Sequence, residues 1–355
     1  VEWLAGNRIR GTSAEKPVTS LQSPSVGGWV ELARTTLGSA NSNIDVTGFS
    51  DKRYYMVLTN TLARSADSTE EDTVLGNASF DTGSNYSTRL SQNGAADTTF
   101  TSQGSLNSNI GSNSQCFHTA YFSNLSSKEK LMISHKAEQN TAGAGTAPIR
   151  FEYTGKWSNT SNVMDRIRQY TGSGDTFNTG SEIVVLGWDP ADTHTTNFWE
   201  ELASVELGSS SATIASGTIT AKKYLWIQAF IPAANHNFNL QFNGDTGSNY
   251  AKRRSEIGGA DSTSTSQDRM TIGSYGSTSS DFYNIFMVNN SANEKLAIIH
   301  NVNRNTAGAG NAPYRSEFVG KWANTSAQIT SVNVLQQSGG SGSFDTGSIL
   351  KVWGS

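Results

Sequence analysis

The chain contains itself twice, and no other feature limits its fold as strongly. Asp81-Thr-Gly-Ser-Asn-Tyr86 returns as Asp245-Thr-Gly-Ser-Asn-Tyr250, and Asn140-Thr-Ala-Gly-Ala-Gly145 returns as Asn305-Thr-Ala-Gly-Ala-Gly310. Lys130-Leu131 through His135 matches Lys295-Leu296 through His300, and Gly155-Lys156-Trp157 matches Gly320-Lys321-Trp322. Trp29 with Glu31-Leu32-Ala33 matches Trp199 with Glu201-Leu202-Ala203. The offset between the copies shrinks from Trp29/Trp199 to Asp81/Asp245, which places a six-residue insertion near Ala66–Asp72. That acidic, polar segment has the composition of a surface loop that tolerates insertion. Each copy is far longer than a solenoid repeat and long enough to bury its own core, so the pattern is tandem domain duplication. The reading is an N-terminal arm over 1–28, a first domain over 29–188, a short polar linker over 189–198 and a second domain over 199–355.

Within each copy the apolar runs are short, β-branched or aromatic, and bounded by Gly, Asn, Asp and Ser. Tyr54–Leu58 pairs with Tyr224–Gln228, Leu131–Ser134 with Leu296–Ile299, and Glu182–Leu186 with Ser348–Val352. Phe238-Asn239-Leu240-Gln241-Phe242 alternates strictly, as a half-buried strand does. Val163–Tyr170 is the best helical window, but its counterpart Ala327–Val334 reads as strand, so it is discounted. Parallel α/β folds need amphipathic crossover helices, and none is present. The expected class is all-β: two tandem homologous β-sandwich, jelly-roll-like domains behind an extended arm.

Composition narrows function. Ser, Thr and Asn make up about a third of the 355 residues, and charged residues are 16%, against about 25% in ordinary globular domains. Aromatics at 10% exclude a disordered chain. The net charge is −4 and no basic cluster exceeds Lys252-Arg253-Arg254, so nucleic acid is not an expected partner. No window approaches the length needed to span a bilayer, so membrane insertion is not expected either. Cys116 is the single cysteine, which removes an intrachain disulfide and any cysteine-based zinc site.

The remaining motifs have competing readings. Asp81, Asn85, Asp245 and Asn249 offer oxygen ligands for a cation, but the spacing is not that of a calcium loop, and Asx-turn chemistry is preferred. The Asn140 and Asn305 loops are wide connections between strands, since no Gly-Lys-Ser/Thr follows them. His135 and His300 each end an apolar run, as rim histidines do. Lys156, Trp157 and Asn159, with Lys321, Trp322 and Asn324, form either a sugar-stacking platform or a core tryptophan followed by a turn; the second is favoured. Trp3, Arg8 and Arg10 in the arm are docking anchors for this chain or a neighbour. No nucleophile elbow or spaced carboxylate pair marks an enzyme, and no cofactor is implied.

Asn7-Arg-Ile-Arg-Gly-Thr-Ser-Ala-Glu-Lys-Pro17, Gly27-Gly-Trp-Val-Glu-Leu32, Thr36-Leu-Gly-Ser-Ala40, Lys52-Arg-Tyr-Tyr55, the Asp-Thr-Gly-Ser-Asn-Tyr motifs and the endings Leu186-Gly-Trp188 and Val352-Trp-Gly354 resemble repetitive β-rich virion proteins. Those belong to marine tailed phages and viruses of marine archaea. The resemblance covers nearly the whole chain and carries no catalytic residue. It implies a structural role on the virion surface, as capsid decoration, head fibre or tail fibre, with copies of itself and other virion proteins as partners. A glycan-binding adhesion module and a self-assembling extracellular filament or surface layer are the alternatives.

Overall fold

The computed structural model describes residues 28–65, 71–108, 113–172, 174–189, 197–232, 238–273, 280–336 and 342–355. The first copy forms β1 (Val30–Thr36), β2 (Asn43–Thr47), β3 (Tyr54–Thr61), β4 (Glu71–Asn77), β5 (Ser79–Phe80), β6 (Tyr86–Gln92), β7 (Thr98–Gln103), β8 (Cys116–Ser123), β9 (Lys130–Glu138), β10 (Ile149–Trp157), β11 (Arg166–Thr171) and β12 (Glu182–Trp188). The second forms β13 (Glu200–Glu206), β14 (Thr213–Ala215), β15 (Tyr224–Ile231), β16 (Phe238–Phe242), β17 (Tyr250–Glu256), β18 (Ser262–Gln267), β19 (Met270–Gly273), β20 (Asp281–Val288), β21 (Lys295–Asn303), β22 (Tyr314–Trp322), β23 (Val332–Leu335) and β24 (Ile349–Gly354). No helix occurs among the described residues.

Each copy is a sandwich of one eight-stranded and one four-stranded sheet. The large sheets run β1-β12-β3-β8-β9-β10-β6-β7 and β13-β24-β15-β20-β21-β22-β17-β18, and the small ones β2-β11-β4-β5 and β14-β23-β16-β19. The strand orders of the large sheets correspond one to one. Even the bulges recur, between Glu31 and Ala33 as between Glu201 and Ala203, and between Tyr86 and Thr88 as between Tyr250 and Lys252. A bulge inserts one unpaired residue and bends its strand, so repeating it at matched positions repeats the curvature.

The apolar faces meet between the sheets of each copy. Ile44, Val57, Leu75, Phe151, Trp157 and Ile183 fill the first core; Ile214, Ile227, Phe242, Phe318, Trp322 and Leu350 fill the second. In β16 the alternation selects this face, with Phe238, Leu240 and Phe242 all inward. Its other face is covered too: Asn239 and Gln241 are buried, and Asn239 accepts from the Thr271 hydroxyl at 2.6 Å. The discounted helical window lies on β11, with Ile167 inward against Leu75 and Val46 in register.

The insertion is not a single surface loop. The Tyr86 hydroxyl accepts from the Leu75 amide at 3.0 Å, as Tyr250 does from Phe242 at 3.0 Å, so Leu75 and Phe242 are equivalent. Their offset is halfway between those of Trp29/Trp199 and Asp81/Asp245. Half of the extra residues therefore lie between β3 and Leu75, and the other half make the tight β4–β5 hairpin around Ala78, which has φ 57°. Glu71 and Asp72, expected on the surface, are buried. Asp72 accepts from Ser105 Oγ at 2.6 Å, Asn107 Nδ2 at 2.9 Å and the Ser108 amide at 3.1 Å.

A third apolar core joins the two sandwiches. Met56, Leu58, Phe117, Ala137, Val184 and Leu186 on the outer face of the first large sheet pack against Phe198, Trp199, Tyr224, Phe286, Leu296 and Ile298 of the second copy. The run Tyr54–Leu58 lacks polar alternation because β3 is buried on both faces: Tyr55 and Val57 serve the first core, Met56 and Leu58 the third.

Candidate functional site

The repeated motifs converge on one constellation, built twice. Gly155, Lys156 and Trp157 end β10, so Gly155 and Trp157 share the inner face. A Cβ on Gly155 would lie 2.7 Å from Leu106 Cδ2, and one on Gly320 would lie 2.3 Å from Met270 Sδ. The facing side chain fills the space that a Cβ would take, so a larger residue there must push Leu106 or Met270 aside. Trp157 and Trp322 are 1% exposed. Their indole N–H groups donate to Asp81 Oδ2 and Asp245 Oδ2, both at 2.7 Å. Asp81 also accepts from the Gly83 amide at 2.9 Å and from Asn85 Nδ2 at 2.9 and 3.1 Å; Asp245 receives the same set from Gly247 and Asn249. Burial alone would raise the pKa of these carboxyls, but the bonds from tryptophan, glycine and asparagine outweigh it and hold both below the ordinary range.

This corrects two readings. The sugar platform fails because both tryptophan rings are core side chains, with no face open to a ligand. The cation reading loses its ligands because Asn85 and Asn249 turn their amide nitrogens, not their oxygens, toward the carboxylates. Asn159 and Asn324 cap turns, accepting from the Ser161 and Ser326 amides at 2.9 and 2.8 Å. Their carbonyls take a bond from buried Lys130 and Lys295 Nζ at 2.8 and 2.7 Å, each ammonium lying 5.6 Å from the tryptophan ring centre. Burial pushes Lys295 down to about 8, against the pull of Glu294. Trp3, Arg8 and Arg10 lie outside the described residues.

Lys156 and Lys321 point outward and meet different fates. Lys156 faces Glu129 at 3.2 Å on an open surface. Lys321 is sealed against the first copy, donating to the Gln139 and Thr141 carbonyls at 3.1 and 2.6 Å. His135 and His300 are not rim histidines. They sit on the outer faces of β9 and β21 and meet across the junction with ring centres 4.3 Å apart. Burial, then His300, His118 and Arg150, push His135 down to about 3. Glu182 crosses the same junction, accepting from Tyr224 Oη at 2.8 Å beside Lys223 Nζ at 3.0 Å.

The sequence reading missed a buried polar cluster in the first copy. Lys136 Nζ lies 3.9 Å from Glu71 Oε2, both 1% exposed, and 4.3 Å from the centre of the Phe151 ring. Thr61 Oγ1 donates to Glu71 Oε1 at 3.2 Å, Arg64 lies 3.8 Å from Asp175, and His118 bonds Ser134 Oγ. Burial pushes His118 down to about 3, and burial with Glu71 and Glu138 holds the Cys116 thiol far above its usual value. A nucleophilic cysteine needs a lowered pKa and access, and this one has neither. Among the described residues no group of three His, Cys, Asp or Glu is placed to hold a metal, and no helix is long and apolar enough to cross a membrane. The absence of a counterpart to His118 in the second copy is a signal of it in the sequence.

The chain matches no protein-family model and no curated protein. Among solved structures, domains LG4-5 of the mouse laminin alpha1 chain match at 14% identity and a TM-score of 0.20, covering 92% of this chain and 90% of theirs. The LG1-3 region of the laminin alpha2 chain matches at 8% identity and a TM-score of 0.20, covering 88% of this chain and 64% of that one. A likeness at these scores carries no argument, so the two-sandwich fold rests on the strand pairing described above.

Proposed function

We propose that this is a non-enzymatic structural protein of a virus-particle exterior, a capsid decoration or fibre that assembles with copies of itself and other virion proteins. The observation that carries the reading is the third apolar core. It makes one stiff block of two sandwiches by burying outer sheet faces that separate domains would leave wet. Among the described residues, Trp157 and Trp322 bond to Asp81 and Asp245 inside turns and cores, and His135 and His300 pack against each other at the junction. Low charge, hydroxyl-rich faces and stability without disulfides suit an exterior building block, and the sequence resemblance points the same way.

Immunogold labelling with antibody raised against the folded chain tests this. Label on particles that contain nucleic acid is the expected result. Label confined to cell envelopes or to filaments lacking nucleic acid overturns it.

A further inference from the structure

The junction between the copies is one-sided. The first copy contributes Phe117, Ala137 and the Asn140–Gly145 loop; the second contributes Leu296, Ile298 and the Lys321–Glu294 pair. Lys321 holds the Gln139 and Thr141 carbonyls, the Gly143 amide donates to Glu294, and the Ser266 amide donates to the Ala144 carbonyl at 2.8 Å. Arg253 Nε donates to the Pro148 carbonyl at 2.9 Å, and Arg150 pairs with Asp261 at 2.7 Å.

These parts of the contact, as distinct from the Met56 and Leu186 end of the junction, have duplicates elsewhere in the chain, and the duplicates are open. Phe282 and Val302 stand where Phe117 and Ala137 stand, and are 40% and 43% exposed, against 1% and 0% for those counterparts. They are neighbours in register on β20 and β21, with Phe230 beside them on β15, and make one apolar row. On the first copy Leu131 and Ile133 match Leu296 and Ile298, and are 55% and 58% exposed, against 0% and 2%. Lys156 and Glu129 wait beside them where Lys321 and Glu294 close the junction.

The knob is preformed as well. The Asn305–Gly310 loop has the sequence of Asn140–Gly145. Asn140 and Asn305 have φ of 62° and 61°, and Gly143 and Gly308 have 86° and 88°. Asn140 and Asn305 Nδ2 also close their loops on the Ala147 and Ala312 carbonyls at 3.2 and 3.1 Å, so the undocked loop already holds these turns of the docked one, which lowers the ordering cost of docking.

We infer that a second copy of this chain docks here: the Phe282/Val302 face and Asn305 loop of one molecule sit on the Leu131/Ile133 face and Lys156–Glu129 pair of the next, repeating the junction between sandwiches. The contact is heterologous, so it propagates as a filament, or closes as a ring if the rotation allows. The inference rests on the self-assembly part of the proposed function and names the surfaces that perform it.

The test uses the full chain with Ile133→Arg, which spoils only the accepting face, and Phe282→Arg, which spoils only the offering face. Both side chains lie in the open, so the fold does not depend on them; unchanged far-UV circular dichroism and melting confirm that. In sedimentation velocity the wild-type chain grows beyond a dimer as concentration rises, and each variant alone remains monomeric. An equimolar mixture of the two stops at a heterodimer, since one good face of each kind survives. A wild-type chain that stays monomeric, or assemblies that both variants leave unchanged, overturns the inference. Assembly through other surfaces, with both variants still incorporated, leaves the virion reading standing while removing this one.

Discussion

The two copies solve the same packing problem with different chemistry. In the first, Glu71, Lys136, His118 and Thr61 fill the region between β3, β4, β8 and β9. In the second, Phe238, Asn301, Tyr283 and Ile231 stand at those positions. Phe238 stacks on Tyr283 with ring centres 3.8 Å apart, and the buried carboxylate, Asp281, is held by Asn301 and Asn303 at 3.2 and 2.9 Å. The strand order is indifferent to this choice. A sandwich needs volume filled and polar atoms bonded, and an ion pair with its hydrogen bonds can meet that need as an aromatic stack does. The ionic version is the more fragile, because removing one partner strands the other charge in a dry interior.

Lys136→Met should break the comparison most severely, costing about 3–5 kcal/mol by leaving Glu71 without its cation. Asn301→Leu, at the matching position, should cost only about 1–3 kcal/mol. Far-UV circular dichroism in rising urea gives the midpoint of each variant, and Cys116, buried beside the cluster, adds a local readout of the first sandwich through its reactivity toward a thiol reagent. Adding Glu71→Gln to Lys136→Met should restore most of the loss. Equal midpoints for the two single variants would erase the distinction.

Asp81→Ala and Asp245→Ala probe what the copies share. Each leaves a buried indole N–H without its acceptor and removes a turn cap, at about 2–3 kcal/mol. The expected losses in urea titrations are equal within error, since the two sets of bonds match closely in length. Unequal losses would show that the equivalence is only geometric.

Acid should separate the copies again. His118 is held down to about 3 by burial, with Lys136 adding to the effect, whereas Tyr283 occupies its place in the second copy. The unfolded imidazole binds a proton near 6.5. Between those values the unfolded chain carries the extra proton, so stability is present above about 6.5 and falls as pH drops toward 3. The slope is at most about 1.4 kcal/mol per pH unit for each such histidine. His135, beside His300 and Arg150 at the junction, contributes in the same direction. His118→Gln should flatten the thiol-exposure profile between pH 6.5 and about 5, above the carboxylate range. An unchanged slope would assign the acid response to the junction histidines.

The smallest effect is expected from Tyr86→Phe and Tyr250→Phe, about 1 kcal/mol each for lost bonds to the facing strand. Thermal melts of the two variants should shift alike.

Much of this architecture is legible in the chain alone. The recurrence of Asp-Thr-Gly-Ser-Asn-Tyr and Gly-Lys-Trp marks the duplication, and the short aromatic and β-branched runs mark strands, because turns and pleats are local geometry. Even the favoured turn reading of Asp81 and Asp245 depends only on a side chain reaching backbone two residues on. Glu71 and Asp72 at the start of β4 misled, because charge along a sequence does not show whether Lys136 waits opposite Glu71.

Leu131-Met132-Ile133 and Leu296-Ala297-Ile298 are near-identical strings, and no local rule tells them apart. One outer face is open and the other is the centre of a core. The sequence by itself determined two sandwiches, their strands and their turns, since those follow from periodicity and backbone chemistry. Only the tertiary structure decided which copy of each surface is covered and what fills each interior. Burial is a property of what packs on a face, and here the packing partner belongs to the other copy, far away along the chain.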